Sequence, residues 1–224
     1  MKPRIKIDST LLIFIILLTG VLYFFPRLYI ESRLVDNVLD FFGLIMILKG
    51  TLLRMAARGH KKANSERSEN LVISGPYILV RNPMYLGSFM IGAGFVLIVW
   101  PWWSLPIFAW LFYMRFNQQV IKEEEMLMKI FGDKYKDYCK RTSRGFPSVS
   151  QALKVNAKEV FDLKEAFSTK EQGGLIGWPI LAVILETFQE KIVFGSTNFC
   201  LTLTIFMAAM IIFAVGFAVY YQKD

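Results

Sequence analysis

The sequence predicts an all-α fold, a polytopic bundle of about six transmembrane helices. Three observations carry this. Of 224 residues, 54% are hydrophobic and the mean hydropathy is +0.42, too apolar for a soluble domain that also carries long uncharged runs. Those runs are long enough to cross a bilayer and are separated by polar stretches. The net charge of +8 falls mostly between the runs, as expected for cytoplasmic loops facing anionic headgroups. No compact basic and aromatic domain is present, so nucleic acid is excluded as a partner. Cys139 and Cys200 offer neither a disulfide framework nor metal-ligand spacing. His60 is the single histidine, so no metal centre built on histidines is expected.

The first span is expected over about Ser9 to Tyr29, behind Lys2, Arg4 and Lys6, with Pro26 ending or kinking it. Leu34 to Leu53 reads as the second; Lys49 near its basic end is an anchor that snorkels, or a residue lining a site. Arg54 to Asn70 is a polar, basic loop of cytoplasmic sign. Leu71-Val72-Ile73 is a short strand or extended segment, and Ser74-Gly75-Pro76-Tyr77 a turn. Asn82-Pro83 starts a third helix, asparagine capping and proline in the first position, which runs to Trp100. Pro101 turns the chain beside an aromatic belt of Trp100, Trp102 and Trp103. A fourth helix returns from about Ser104 and ends at Gln118-Gln119 and three glutamates.

Residues 122–174 are charged and are expected in the cytoplasm. Within them 157–168 form either an amphipathic helix on the membrane or a solvated one, from the spacing of Val160, Leu163 and Phe167. Gly173-Gly174 breaks the chain before a weak fifth span, Leu175 to Ile192, and a strong sixth, Phe199 to Tyr221. Six spans put both termini in the cytoplasm. Three units follow: a core over 1–150, a polar linker over 151–174, and two further spans over 175–224.

Two polar clusters lie at the ends of the third and fourth helices. One is Gly75-Pro76-Tyr77-Ile78-Leu79-Val80-Arg81-Asn82-Pro83-Met84-Tyr85-Leu86-Gly87. The other is Glu123-Glu124-Glu125-Met126-Leu127, followed by Phe131-Gly132 and Tyr135. Only an apolar hairpin separates them, so they must meet at one membrane face. Over about Asn70 to Pro147 the pattern resembles the isoprenylcysteine carboxyl methyltransferase and phospholipid methyltransferase group of integral membrane enzymes, which use S-adenosylmethionine. Each motif alone is weak; their order and spacing together are specific.

The resemblance implies an S-adenosylmethionine-dependent methyltransferase with a cofactor pocket at the cytoplasmic face and a lipid or lipid-like acceptor from the bilayer. Tyr77, Asn82, Pro83, Met84 and Tyr85 would line the pocket, Glu123 and Glu124 would hold the polar end of the cofactor, and Leu71 and Val72 would lie against its adenine. Aromatic faces suit a sulfonium, and carboxylates suit an ammonium or ribose hydroxyl. Arg81 would pair with a substrate or cofactor carboxylate, or with lipid phosphate. Gln119 stands where the prenylcysteine branch tends to carry a basic residue. Asn82 stands where many members have histidine, and an amide cannot act as a base. No catalytic side chain and no metal ligand are expected. A membrane reductase using NADPH and a non-catalytic lipid-binding scaffold are the competing readings. Tyr135 and Tyr138 read as packing residues.

Overall fold

The computed structural model describes residues 17–65, 70–148 and 157–222, and all their regular structure is helical. Residues 17–23 form α1, which ends before a 3-10 turn at Pro26–Leu28, as a proline at that position dictates. The start of the first expected span, Arg67, and residues 149–156 lie outside the described residues, as do both chain termini.

The long helix α2, Arg33–Asn64, corrects the expected loop from Arg54 to Asn70: eleven of those residues continue the helix. Arg54, Arg58 and His60 face partners more than 100 residues away in sequence, Glu171 and Glu165, so this charge run is a paired helical face rather than a solvated loop. Lys49 is exposed, in keeping with an anchor. Helix α3, Pro83–Val99, and helix α4, Leu105–Phe131, form the hairpin, joined by a 3-10 turn at Trp102–Ser104. The fourth helix runs past the glutamates instead of ending at them. Gly132, at φ +52°, then breaks it before α5, Asp133–Arg141.

The helix expected over 157–168 is two short ones, α6 at Ala157–Val160 and α7 at Leu163–Ala166. Asp162 divides them, because its side chain accepts the Glu165 N–H and caps a new helix. Phe161, in the break, is buried with Ala166 against Met55 and Ala56. After a 3-10 turn at Lys170–Gly173, α8 spans Gly174–Phe194 and α9 spans Phe199–Gln222. Helix α9 is the one helix among the described residues both long and apolar enough to cross a membrane; α3 is apolar but has 17 residues, about 26 Å at 1.5 Å each.

The core lies where α2, α3, α8 and α9 meet, at Leu44, Ile47, Ile98, Ala182, Phe206 and Ala209. Glycines let α2 and α3 touch backbone to backbone. A Cβ on Gly94 would meet the Gly43 carbonyl at 2.4 Å, and one on Gly50 would meet the Gly87 carbonyl at 2.6 Å. Outward-facing apolar stripes at four-residue spacing remain: Ile176, Ile180, Ile184 and Phe188 on α8, and Leu203, Met207, Ile211, Val215 and Val219 on α9.

Candidate active site

The turn before α3 is built around Gly75. Its φ of +61° is in the left-handed region, and a Cβ there would strike the His60 ring at 2.7 Å. Pro76 follows in a 3-10 turn, Gly75–Ile78, that drives Tyr77 inward. The Tyr77 hydroxyl donates to the Ala57 carbonyl of α2 at 3.4 Å, and the Tyr77 carbonyl accepts from Tyr138 of α5 at 2.7 Å. Leu71, Val72 and Met84 pack with Tyr77, Tyr135 and Tyr138 in one apolar cluster. Burial pushes the Tyr77 and Tyr138 hydroxyls upward, with the Glu123 charge adding to the effect at Tyr77. Both therefore act as hydrogen-bond donors at any physiological pH.

Asn82 precedes α3 but its side chain does not cap it, contrary to the sequence expectation. Its backbone carbonyl accepts from Tyr85 and Leu86, which closes the first turn. The amide is therefore free to turn outward: Nδ2 donates to Glu124 Oε1 and to the Arg144 carbonyl, both at 3.1 Å. Pro83 is fully buried beside it.

The two glutamates then divide. Glu124 is an ion-pair node, with Arg81 at 3.4 Å and Arg144 Nε at 3.1 Å from its oxygens. The Arg144 contact is a charge contact rather than an aligned hydrogen bond, since that N–H finds no acceptor in line. Arg81 is held inside the protein: Nη1 also contacts Cys139 Sγ at 2.8 Å, and its backbone N–H donates to the Ser143 carbonyl. Burial works against the Arg81 charge, but Glu124, Cys139 and Tyr135 together outweigh it and the pKa is raised. Glu123 has only neutral partners, the Tyr85 hydroxyl at 2.9 Å and Gln119 Nε2 at 3.0 Å. Among the described residues no lysine or arginine pairs with it. Glu125 is exposed, because adjacent helical positions point about 100° apart.

An aromatic row leads away from Glu123 along the hairpin. Tyr85 lies 5.6 Å from Phe116, Phe116 lies 4.4 Å from Phe112, and Phe89 packs on Phe108, Phe112 and Phe146. On the other side of the tyrosine cluster, a cleft of about 450 Å³ opens between Asn70, Leu71 and Ile73 and the α4–α5 residues Phe131, Lys134, Asp137 and Arg141. His60 lies behind the turn with both nitrogens engaged, Nδ1 by Glu165 and Nε2 by Ser74, each at 2.8 Å.

All eleven sequence candidates thus fall into two adjoining groups. Leu71, Val72, Tyr77 and Met84 join the aromatic cluster. Asn82, Tyr85, Glu123, Glu124, Arg81 and Gln119 form the polar network, with Pro83 at the junction. Arg144 was missed; its place just inside the end of the motif region, at Pro147, was the available signal. Ser88 was also missed: it accepts from Arg54, which forks onto Glu171 as well and so ties α2, α3 and the linker together.

Residues 38–134 match the phospholipid methyltransferase family. The chain is also similar to curated proteins named protein-S-isoprenylcysteine O-methyltransferase. That of Schizosaccharomyces pombe is 27% identical over 124 residues, 54% of this chain and 52% of the relative. That of Dictyostelium discoideum is 30% identical over 135 residues, 57% of this chain and 54% of the relative. The A form of Arabidopsis thaliana is 33% identical over 117 residues, 49% of this chain and 59% of the relative. The chain thus spans about half the length of these relatives. No solved structure matches it. The matched stretch holds the turn before α3, the three glutamates and the Asn82–Glu124 and Tyr85–Glu123 hydrogen bonds between them, so the likeness to the phospholipid methyltransferase family falls on the candidate site itself.

Proposed function

We propose that the protein is an integral membrane methyltransferase that takes its methyl group from S-adenosylmethionine and gives it to a membrane-dissolved or amphipathic acceptor. One observation carries the reading. Glu123 is a part-buried carboxylate held by two neutral donors, Tyr85 and Gln119, and by no cation among the described residues. A positioned carboxylate without a counter-charge suits an ammonium or ribose hydroxyl. Glu124, held by Arg81 and Arg144, fixes the frame around it.

The residues present fit the cofactor. Glu123 would take its polar end; Tyr77, Met84, Leu71 and Val72 would take its apolar and aromatic parts; and the adjoining 450 Å³ cleft offers approach from the cytoplasm. S-adenosylmethionine, when bound, supplies an electrophilic methyl on a sulfonium. The chain's own residues bind, orient and exclude water, which by alignment alone lowers barriers substantially. Asn82 is an amide and cannot take a proton, and His60 lies behind the turn, bonded to Glu165 and Ser74. The acceptor would be a carboxylate, thiol or amine arriving without its proton. Gln119 is committed to Glu123 and is neutral, so a prenylcysteine carboxylate would find no cation there.

The outward stripes on α8 and α9 support a multi-pass arrangement of about six spans, with both termini and the site on the cytoplasmic side. Residues 1–150 would form the catalytic core, 151–174 the linker and 175–224 two supporting spans. Titrating S-adenosylmethionine and NADPH separately into the detergent-solubilised protein tests the reading. Saturable binding of the first alone is expected; binding of NADPH alone points to a reductase, and binding of neither to a scaffold.

A further inference from the structure

The opposite end of the bundle holds a second polar centre. Asp36 and Asp40, one turn apart on α2, face Glu186 of α8. One carboxylate oxygen of each lies within 4.8 Å of the other two. The three residues are 7%, 2% and 1% exposed. Gln189, 2% exposed, donates Nε2 to Asp36 Oδ1 at 3.2 Å, which fixes its amide against the cluster. Gln189 Oε1 is buried with no partner, and so are Asp40 Oδ1 and Glu186 Oε2. The centre is separate from the motif site: Ala57 lies 17 positions beyond Asp40 on α2, a rise of about 26 Å.

Three carboxyl groups in an apolar core need either a counter-charge or protons. Among the described residues no arginine or lysine forms an ion pair with them. The nearby Arg33 is taken by Glu190, whose other oxygen accepts the Asn198 N–H, so Glu190 is satisfied outside the cluster. The unpartnered atoms of these residues are all acceptors, one of them an amide carbonyl, and the one unpartnered donor near them is the buried Tyr23 hydroxyl beside Glu186. A cation answers them together; a second acceptor would not. All are hard oxygen donors, without thiolate or imidazole, which suits Ca²⁺ or Mg²⁺ over zinc. A dry cage of three carboxylates and an amide carbonyl suits Ca²⁺, because Mg²⁺ dehydrates reluctantly and usually keeps several waters.

We propose that Asp36, Asp40, Glu186 and Gln189 form a binding site for one Ca²⁺ ion that locks α2 to α8. The full-length protein, purified in detergent and stripped with a chelator, is dialysed to equilibrium against Ca²⁺ and, in parallel, Mg²⁺, and its thermal midpoint is read at each concentration. About one Ca²⁺ per chain is expected, with a midpoint that rises as the ion binds. D40N and E186Q should each weaken binding at least tenfold, while E190Q should stay within about threefold of the wild type. If the cluster variants do not fold, the wild-type stoichiometry together with the Ca²⁺-dependent midpoint decides. Three results overturn the proposal. One is no Ca²⁺ uptake, with a midpoint that ignores the ion and rises as pH falls, the mark of carboxyls sharing a proton. Another is undiminished uptake by both folded variants, which puts the ion elsewhere. The last is a tenfold preference for Mg²⁺.

Discussion

The hydroxyl of Tyr85 donates to Glu123 Oε1 at 2.9 Å, closing the α3–α4 hairpin across 38 residues of sequence. Glu124, the next residue on the same helix, is instead committed to Arg81, Arg144 and Asn82. Two neighbouring carboxylates therefore do different work, and substitution should separate them.

Glu123→Gln should weaken S-adenosylmethionine binding about tenfold or more, the loss expected from a charge-assisted hydrogen bond of roughly 1.5–3 kcal/mol, with the unfolding midpoint nearly unchanged. Glu124→Gln should chiefly lower stability, by about 1–3 kcal/mol, because it leaves two part-buried guanidiniums under-compensated. Glu125→Gln should do neither. Calorimetric titration and thermal unfolding on all three variants make the check, and equal small effects throughout would remove Glu123 from the binding role.

The α2–α3 seam predicts an unusual sign for a glycine-to-alanine change within a helix. Alanine gains roughly 1 kcal/mol of helix propensity over glycine, but at Gly94 it must displace the Gly43 backbone, an overpacking cost of about 1–3 kcal/mol. Gly94→Ala should destabilise. Gly216→Ala on α9, where a Cβ would meet nothing within 4 Å, should be neutral or stabilising. Unfolding midpoints of the two variants in the same detergent compare them directly.

His60 staples the Ser74 turn to Glu165. His60→Ala should lower the unfolding midpoint yet keep most of the methyl-transfer activity. Any limb of the pH–rate profile between about pH 6 and 8, the range in which a histidine ordinarily titrates, should move with the pKa of the acceptor used. A limb fixed across acceptors and abolished in the variant would make the histidine a general base.

Glu171 accepts from both Arg54 and Arg58. Burial acts to raise its pKa, but the two arginines prevail and hold it below the ordinary 4.5. A depressed carboxylate contributes stability above its unfolded pKa and loses it as pH falls through the folded value. The stability gap between wild type and Glu171→Gln should be largest near neutral pH and close below about pH 4, near the ordinary glutamate value. Chemical denaturation at several pH values measures it; a gap independent of pH would mean that the arginines do not set the carboxylate's titration.

Cys139 lies against Arg81 and is partly exposed. On the six-span topology an impermeant maleimide should reach it only from the cytoplasmic side, while Cys200, at the start of α9, should label slowly from there. Labelling of Cys139 from outside intact cells would reverse the orientation.

The hairpin and the meeting of its two polar ends were legible in the sequence because both lie at sharp boundaries between apolar and polar residues, marked by Asn82-Pro83 and by the glutamates. The length of α2 was not. A helical face carrying Arg54, Arg58 and His60 has the composition of a loop, and its partners, Glu165 and Glu171, lie over 100 residues on. The same blindness to distant partners hid Arg144 and gave Asn82 a local capping role. The break at Asp162 was likewise concealed, because apolar spacing registers Val160 and Phe167 but not the cap between them. Asp36 and Asp40, one turn apart on α2, stand far in sequence from Glu186, and the three carry no motif.

The glycine contacts between α2 and α3 also have a mechanical consequence. With Gly43 against Gly94 and Gly50 against Gly87, the two backbones touch directly while Ile47, Ile91 and Ile98 pack over the glycines, so the helices act as a single stiff beam. Breathing of the hairpin is left to α4, whose contacts with α3 run through the rings of Phe89, Phe108 and Phe112. Aromatic rings can slide and tilt where backbones in contact cannot. A greasy molecule arriving sideways from a bilayer would part the α3–α4 seam, with Tyr85 and Glu123 waiting at its inner end. Paired spin labels should report a narrow distance distribution across α2–α3 and a broad one across α3–α4.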